Sequence, residues 1–303
     1  MDTLPDNARV VLIAQNPKSG SSNRGQLVSQ LAEKLNQQGM QAKIIQSIDE
    51  LVESATESLQ SGDLRSVVSA GGDGTVSLLV NKLPPETPFY VFPLGTANLL
   101  AKYLESTTRI DRAVQTIKNG HTIRLDVGKA NDKLFLVVAS CGYDADVVHR
   151  IHATRKGHIN YASYLVPVAQ SILGYKFPEM KFVADGKELN SARWAFVLNV
   201  PRYAIGLQFI KNADGQDGQL DVCTFAKGGF LRGLGYFFAV LFGQHQRLPS
   251  TGFCRFEKLQ IESVHAEPVP VELDGDPAGF LPITITTIPK RLCAIVDKTW
   301  RPS

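Results

Sequence analysis

The first third of the chain alternates short apolar runs with longer segments of helical periodicity. The apolar runs occupy residues 9–14, 42–45, 66–70 and 88–92. Between the first two, Leu27, Leu31 and Leu35 recur at i, i+4 and i+8, which predicts a helix with one apolar stripe that ends near Gly39. A second helix is predicted over residues 49–60. Strands that alternate with helices predict right-handed crossovers and a parallel sheet, with ligands at the carboxyl ends of the strands.

From about residue 123 the pattern changes to short β-branched or alternating segments, which predict a β-rich second domain. These segments are residues 122–130, 133–140, 180–184, 193–199, 220–225, 256–262, 269–273 and 283–287. Helices are predicted within this domain at residues 161–173 and 230–242. We expect an α/β domain over residues 1–125 and a β-rich domain over residues 126–289, with a last strand near residues 290–300 returning to the first domain.

A glycine-rich turn, Gly71 to Thr75, follows the buried run 66–70 and precedes the helical run 76–80. Glycines tolerate positive φ and let the backbone approach a ligand, and the first amides of a helix attract phosphate. The turn therefore predicts a nucleotide site. It lacks the lysine of a P-loop, and Ser77 stands where a dinucleotide fingerprint needs glycine. The alternative is a tight βα connection without a ligand.

Composition narrows the functional class. The 303 residues carry a net charge of +3 without long basic runs, which argues against nucleic-acid binding. Cys141, Cys223, Cys254 and Cys293 lie far apart, which argues against a zinc site or a disulfide framework and fits a reducing cytosol. The amino terminus lacks a secretory pattern, and the longest apolar stretch is shorter than the roughly 20 residues of a bilayer span. We expect a cytoplasmic protein.

Five motifs stand in one order along nearly the whole chain. They are Asn-Pro-Lys-Ser-Gly at 16–20, Gly-Gly-Asp-Gly-Thr at 71–75, Pro-Leu-Gly-Thr-Ala-Asn at 93–98, Asp-Gly-Gln-Leu-Asp at 217–221 and Leu-Asp-Gly-Asp-Pro at 273–277. In the sequence and order of these five motifs, the chain resembles the diacylglycerol kinase catalytic-domain family. That family includes bacterial lipid kinases, sphingosine kinases and ceramide kinases. The resemblance implies an α/β nucleotide-binding domain, a sandwich-like second domain and phosphate transfer from ATP to a lipid hydroxyl.

The resemblance also implies the site residues and a magnesium cofactor. ATP would be held by Asn16, Pro17, Lys18, Ser19, Gly20, Gly71, Gly72, Asp73, Gly74, Thr75, Val76, Ser77, Gly95 and Thr96, with Ser47 a weaker candidate. Asp73 would join a water-linked Mg²⁺ network. The side chain of Asp217, with the carbonyls of Asp214 and Gln219, matches a structural magnesium site.

Phosphoryl transfer also needs a base for the acceptor hydroxyl, and the family's Asp-Gly-Glu motif falls on residues 274–276. Asp274 is the first choice as base, and Asp276 stands where the family usually has glutamate. Asp-Gly is also the usual composition of a hairpin turn. Asp144 and Asp146 match a segment beside the acceptor pocket, where a loop-capping role is the alternative.

One departure from the family and one apolar segment complete the sequence picture. Leu99 stands where many bacterial members have an aspartate of the magnesium network. The stretch 229–243 could dock on a membrane or pack on the sandwich as an ordinary helix. The basic segment 149–158 could touch anionic lipid, with a solvated face as the alternative.

The expected partner is a lipid substrate, with peripheral contact at the inner membrane face. Alternatives to a kinase for diacylglycerol or a related lipid alcohol are a sphingoid-base or ceramide kinase, an NAD kinase and a non-catalytic lipid-binding protein.

Overall fold

The computed structural model describes residues 1–15, 22–154, 174–203 and 207–302. The predicted phosphate-binding residues Asn16 to Gly20, the end of the basic segment 149–158 and the predicted helix at 161–173 lie outside these ranges. The chain divides into two compact units, Met1–Leu125 with Lys290–Ser303 and Asp126–Pro289.

The described residues form helices and short strands throughout. The helices are α1 (Ser22–Gln37), α2 (Ile48–Gln60), α3 (Asp73–Lys82), α4 (Leu99–Tyr103), α5 (Ile110–Asn119), α6 (Tyr143–Thr154) and α7 (Phe230–Leu241), with a 3₁₀ turn at His245–Arg247. The strands are β1 (Asp2–Thr3), β2 (Val10–Gln15), β3 (Gln41–Ile45), β4 (Leu64–Gly71), β5 (Pro88–Pro93), β6 (His121–Ala130), β7 (Lys133–Phe135), β8 (Val138–Cys141), β9 (Met180–Ala184), β10 (Lys187–Ala192), β11 (Trp194–Leu198), β12 (Arg202–Tyr203), β13 (Leu207–Gln208), β14 (Leu220–Phe225), β15 (Thr251–Phe256), β16 (Lys258–Ser263), β17 (Pro270–Leu273), β18 (Asp276–Phe280) and β19 (Ile283–Ile295).

The first unit is built on a parallel sheet in the order β3-β2-β4-β5, followed by the end of β19. Strand β4 is buried along its whole length, as expected for a central strand covered on both faces. The expectation of an α/β domain with a parallel sheet is confirmed. Because all these strands run the same way, the loops after β2, β3, β4 and β5 leave the sheet at one edge.

The apolar stripe of α1 explains how that helix attaches to the sheet. Val28, Leu31 and Leu35 are fully buried and pack with Val11 of β2 and Ile117 of α5 in one core cluster. Spacings of three and four residues place these side chains on one face of the helix. The helix therefore covers the sheet and leaves its carboxyl edge open.

The second unit contains two antiparallel sheets. One has the order β15-β14-β11-β8-β17-β18, and the other the order β10-β9-β16 followed by the start of β19. Side chains from both sheets, among them Phe182, Val222, Leu259 and Val271, share a core cluster. The expected sandwich-like domain is confirmed.

The structure differs from expectation at several strands and at one helix of the second unit. Strand β10 was not anticipated because its sequence, Lys187–Ala192, is mostly polar and its side chains are largely exposed. Strands β15 and β18 were missed for a similar reason, since both are sheet-edge strands. The predicted strand 133–140 divides into β7 and β8, and helix α6 was not foreseen. No helix in the described ranges combines the length and the apolar character needed to cross a membrane.

Candidate active site

The glycine turn joins β4 directly to α3. Strand β4 ends at Gly71, and Gly72 is the N-cap of α3, without a side-chain cap. The first amides of a helix have no acceptor within the helix and lie at its positive dipole end, so the start of α3 suits an anion. Gly72 has a φ of −98°, so it does not use the positive φ that glycine tolerates.

Close approach of two loops is the actual reason for glycine at position 72. A Cβ added to Gly72 would lie 3.1 Å from the Cα of Gly95, and one added to Gly95 would lie 2.4 Å from the Cα of Gly72. Leu94 N also donates to Gly71 O at 2.9 Å. The loops after β4 and β5 therefore touch backbone to backbone, and side chains would separate them.

Asp73 adds a side-chain contact between the same two loops. Its Oδ1 accepts a hydrogen bond from Leu99 N at 2.7 Å, at the start of α4. Burial raises the pKa of Asp73, opposed by hydrogen bonds from the amides at that helix start. Leu99 stands where the family resemblance implies an aspartate. It contributes to the contact between the two loops through its backbone amide.

Asn98 shapes the second loop. It lies in the left-handed region with φ 49°, its Nδ2 donates to Gly95 O at 2.8 Å, and its Oδ1 accepts from Gly95 N at 3.0 Å. This reciprocal pair holds Gly95 at the contact with Gly72. Asn98 was part of the recognised motif, but its role at Gly95 was not predicted from the sequence.

The other predicted nucleotide residues of the first unit lie around this pair of loops, at varying exposure. Gly74 and Thr96 are exposed, Thr75 and Ser77 are partly buried, and Val76 is buried in the core beneath α3. Val76 can therefore reach a ligand only through its backbone. Ser47 is exposed and caps α2, where its Oγ accepts from Glu50 N at 3.4 Å.

The loop predicted to bind a metal in the second unit, residues 214–219, is hydrogen-bonded to a buried aspartate. Asp126 Oδ2 accepts from Gly218 N at 2.7 Å, and Asp126 N donates to Gly215 O at 2.6 Å. Asp126 is fully buried and was not identified from the sequence. Its signal is an acidic residue inside the apolar run Leu125-Asp126-Val127. Such a residue must have buried partners.

The three residues proposed as metal ligands all belong to this loop. Asp214 Oδ1 accepts from Gln216 N at 3.1 Å, and Asp217 Oδ1 accepts from Gln219 N at 3.0 Å. Asp217 Oδ2 also lies 3.2 Å from Arg255 Nη1. Carboxylate and carbonyl oxygens are the donors that Mg²⁺ prefers. Within the described residues no cluster of three or more His, Cys, Asp or Glu could hold a metal ion, so carbonyls would have to contribute.

The Asp274-Gly275 pair forms the two-residue turn of a hairpin. Leu273 of β17 pairs with Asp276 of β18, and both turn residues have positive φ, 51° and 87°. The carboxylate of Asp274 accepts hydrogen bonds from the amides of Leu136, Val137 and Val138 at 2.7, 2.8 and 3.1 Å. Residues 274 and 275 do form a hairpin turn, as one interpretation of the sequence predicted. The carboxylate of Asp274 holds this turn against residues 136–138.

Asp276, the other candidate base, is in a different environment. Its side chain is 54% exposed, and its Oδ1 lies 3.1 Å from His152 Nε2 on α6. An exposed carboxylate can exchange protons with a bound hydroxyl without first breaking a set of backbone hydrogen bonds. Of the two candidate bases, Asp276 is the more accessible.

A group of acids lies behind this hairpin. Asp144 Oδ2 accepts from Ser140 Oγ at 2.9 Å and from Tyr203 Oη at 3.1 Å, and Glu272 Oε2 accepts from Gly275 N at 2.7 Å. Burial raises the pKa of Asp144, and burial together with the charge of Asp144 raises the pKa of Glu272 well above its usual value. Glu272 was not singled out from the sequence, because it lies in a strand among apolar neighbours.

Asp146, the second predicted substrate residue, forms an ion pair within α6. Its Oδ2 lies 2.6 Å from Arg150 Nε, one helical turn further on. Asp144 and Asp146 both lie in the first turn of α6, where carboxylates are favoured by the helix dipole. The alternative considered from the sequence was loop capping, whereas both residues lie at the start of a helix.

Two family models match the chain in succession. The model of the diacylglycerol kinase catalytic domain matches residues 9–130, and that of the YegS C-terminal NAD kinase beta sandwich-like domain matches residues 137–296. The chain belongs to the diacylglycerol kinase catalytic-domain family. As a member of this family, the protein is a kinase that transfers a phosphoryl group to an alcohol.

Relatives and solved structures agree with this membership. A diacylglycerol kinase of Staphylococcus carnosus (strain TM300) is 24% identical over 92% of this chain and 92% of its own. One of Bacillus subtilis (strain 168) is 22% identical over 94% of this chain and 96% of its own. A crystal structure of a diacylglycerol kinase from Bacillus anthracis str. Sterne has a TM-score of 0.73 at 21% identity, covering 96% of this chain and 98% of that chain. At this identity the structural likeness shows the shared fold.

The contact between Gly72 and Gly95 can be tested by adding one methyl group. Gly95→Ala places a Cβ 2.4 Å from Gly72 Cα and 2.6 Å from Asn98 Oδ1, so we expect it to force the two loops apart. The free energy of unfolding should fall by about 1–3 kcal/mol, and nucleotide affinity should fall with it. Urea denaturation and titration calorimetry measure the two effects.

Gly235→Ala is the matched control, because a Cβ at Gly235 meets nothing within 4 Å. As an exposed helix position it should gain about 0.5–1 kcal/mol of stability with unchanged nucleotide affinity. Equal behaviour of the two variants would contradict the proposed steric role of Gly95.

Buried Glu272 makes stability depend on pH. Because its folded pKa is raised, its contribution to stability is fully present below the unfolded pKa, about 4.3, and is lost as pH rises through the folded pKa. Glu272→Gln is neutral at every pH, so the variant should become more stable relative to the wild type as pH increases. Urea denaturation between pH 4 and pH 8 measures this difference, with Glu262→Gln on the exposed side of β16 as control. Parallel curves for Glu272→Gln and the wild type would contradict the raised pKa.

Proposed function

We propose that this protein uses ATP and Mg²⁺ to phosphorylate the hydroxyl group of diacylglycerol or a related lipid alcohol. The observation that carries the proposal is the backbone contact of the two glycine loops at the carboxyl edge of the parallel sheet. The start of α3 lies at this edge, and in this fold class phosphates bind at such helix starts.

ATP binding relies on backbone donors in this proposal. The turn has no P-loop lysine, so the amides at the start of α3 and the loop around Gly95 and Thr96 would hold the phosphates. Phosphoryl transfer asks mainly for positioning and for neutralisation of charge, and rigid amides meet the first need. The residues Asn16 to Gly20 would complete this site as the family motif implies.

Magnesium fits two places by the chemistry of the donors. Asp73 would join the ion that accompanies the nucleotide, and Asp217 with the carbonyls of Asp214 and Gln219 would hold a structural ion. When bound beside the nucleotide, the ion neutralises charge on the phosphates. Within the first unit, the contact between Asp73 and Leu99 N holds the two loops that would lie beside this ion.

We propose that Asp276 removes the proton from the acceptor hydroxyl. Asp274 positions Asp276 by holding the hairpin turn that precedes it. The support is the exposure of the Asp276 carboxylate and the three amide hydrogen bonds that occupy Asp274. His152 Nε2 lies 3.1 Å from Asp276 Oδ1 and can hold this carboxylate in place.

A neutral alcohol is favoured over a sphingoid base by the charges near α6. A sphingoid amine needs a carboxylate partner, but Asp146 is paired with Arg150 and Asp144 is held by two hydroxyl groups. Curated relatives carry the name diacylglycerol kinase, in agreement with an uncharged glycerol head group. The use of ATP places the reaction on the cytoplasmic side, with peripheral contact to the membrane that holds the substrate.

NAD kinase is the second candidate, because the second family model names an NAD kinase beta sandwich-like domain. Purified protein should be incubated with labelled ATP and Mg²⁺, together with a total lipid extract or with NAD. We expect label in a phosphorylated lipid with the mass of phosphatidic acid. Label in NADP and none in lipid would overturn the proposal, and label in neither would favour a non-catalytic binding protein.

The roles of the two aspartates can be separated by parallel substitutions. Asp276→Asn should lower turnover by about 10²–10⁴-fold and leave the melting temperature nearly unchanged, because it removes an exposed base. Asp274→Asn presents an amide NH₂ to a backbone N–H and should cost about 1–3 kcal/mol of stability. Turnover per folded molecule and thermal unfolding give the two readouts. If Asp274→Asn were stable and inactive while Asp276→Asn stayed active, Asp274 would be the base.

A further inference from the structure

Exposed apolar side chains are concentrated on one helix of the second unit. Of the twelve large apolar side chains that are exposed in the described part of the chain, seven lie between residues 230 and 242. They are Phe230, Leu231, Leu234, Phe237, Phe238, Leu241 and Phe242. Leu231 is 80% exposed and Phe242 is 69% exposed. A patch of this kind on a folded domain marks a surface that binds something apolar.

Helix α7 has two apolar faces with different environments. Its inner face is packed, since Tyr236 and Val240 are buried. The centroid of the Tyr236 ring lies 5.8 Å from that of Trp194 and 4.6 Å from that of Phe225. Residues 230, 234, 237, 238 and 241 recur at i, i+4, i+7, i+8 and i+11 and form a second stripe, which is exposed. The inner contacts explain why the helix is folded, and they leave the outer stripe without a structural role.

The charged side chains of the segment that contains this stripe are all of one sign. From Val222 to Phe256 the sequence contains no aspartate or glutamate. Lys227 and Arg247 lie just before and after the helix, Arg232 lies in its first turn, and all three side chains are exposed. An apolar stripe with cationic flanks matches the two layers of an anionic bilayer, the acyl chains and the head groups.

We propose that the outer face of α7 docks on an anionic lipid bilayer, inserting its phenylalanine and leucine side chains between the acyl chains. The choice of a bilayer as occupant rests on the proposed function, because the substrate of a lipid kinase lies in that bilayer. A second copy of the chain fits less well. A two-fold contact through α7 would bring the cationic flanks of both copies together without an acidic partner in the segment 222–256.

The test compares vesicle binding by the full-length wild type with that of the variant Leu234→Gln with Phe238→Gln. Both substitutions lie in the exposed stripe, so the melting temperature should change little. We expect the wild type to float with phosphatidylcholine vesicles that contain phosphatidylglycerol, and the variant to bind them at least tenfold more weakly. Ile44→Gln is the matched control, since Ile44 is an exposed apolar residue of the first unit, and it should bind like the wild type.

A second variant tests the cationic flanks. Lys227→Glu with Arg247→Glu leaves the apolar stripe intact and should weaken binding to anionic vesicles severalfold, with less effect on pure phosphatidylcholine. Wild-type binding should also fall as salt increases, because exposed charges are screened.

Activity measurements separate this proposal from the proposed function. The stripe variant should lose activity toward long-chain diacylglycerol in vesicles and keep its activity toward a soluble short-chain diacylglycerol. Vesicle binding by the stripe variant equal to that of the wild type would overturn the docking proposal, as would a wild-type dimer that the variant converts to a monomer without any flotation. Wild-type flotation without phosphorylation of either lipid would overturn the proposed kinase activity and leave the docking proposal standing.

Discussion

The contact between Gly72 and Gly95 is the constraint on which the candidate nucleotide site depends. The two loops lie so close together that a Cβ on Gly95 would clash with Gly72 Cα. Hydrogen bonds from Leu94 N to Gly71 O and from Leu99 N to Asp73 hold the loops at this distance. The start of α3 is thereby fixed before any ligand arrives. Donors held rigid in advance need no reorganisation during phosphoryl transfer.

The fold class was predictable where burial imposes a period on the sequence. The spacing of Leu27, Leu31 and Leu35 gave α1, and the apolar run before Gly71 gave β4, because both must bury apolar side chains. Strand β10 could not be found in this way, since most of its side chains are exposed. Edge elements of this kind depend on neighbours that are distant in sequence.

The candidate site was predictable in its residue types and less so in their roles. Glycine at position 72 was explained by tolerance of positive φ and by close approach to a ligand, whereas the structure shows an ordinary φ and the close approach of a neighbouring backbone. The functions of Asp274 as an anchor and Asp126 as the centre of a loop depend on amides brought in by other segments. Glu272, like Asp126, interrupts an apolar run, but its burial beside Asp144 depends on a separate segment of the chain. Such roles arise from three-dimensional neighbours rather than from local pattern.

The hydrogen bond from Leu99 N to Asp73 has a consequence for how position 99 can vary. The contact uses a peptide amide, so every residue except proline preserves it, whatever its side chain. Position 99 can therefore exchange an apolar side chain for a carboxylate while the loop frame stays in place. The geometry of the phosphate loops and the number of acids beside them can change independently of each other.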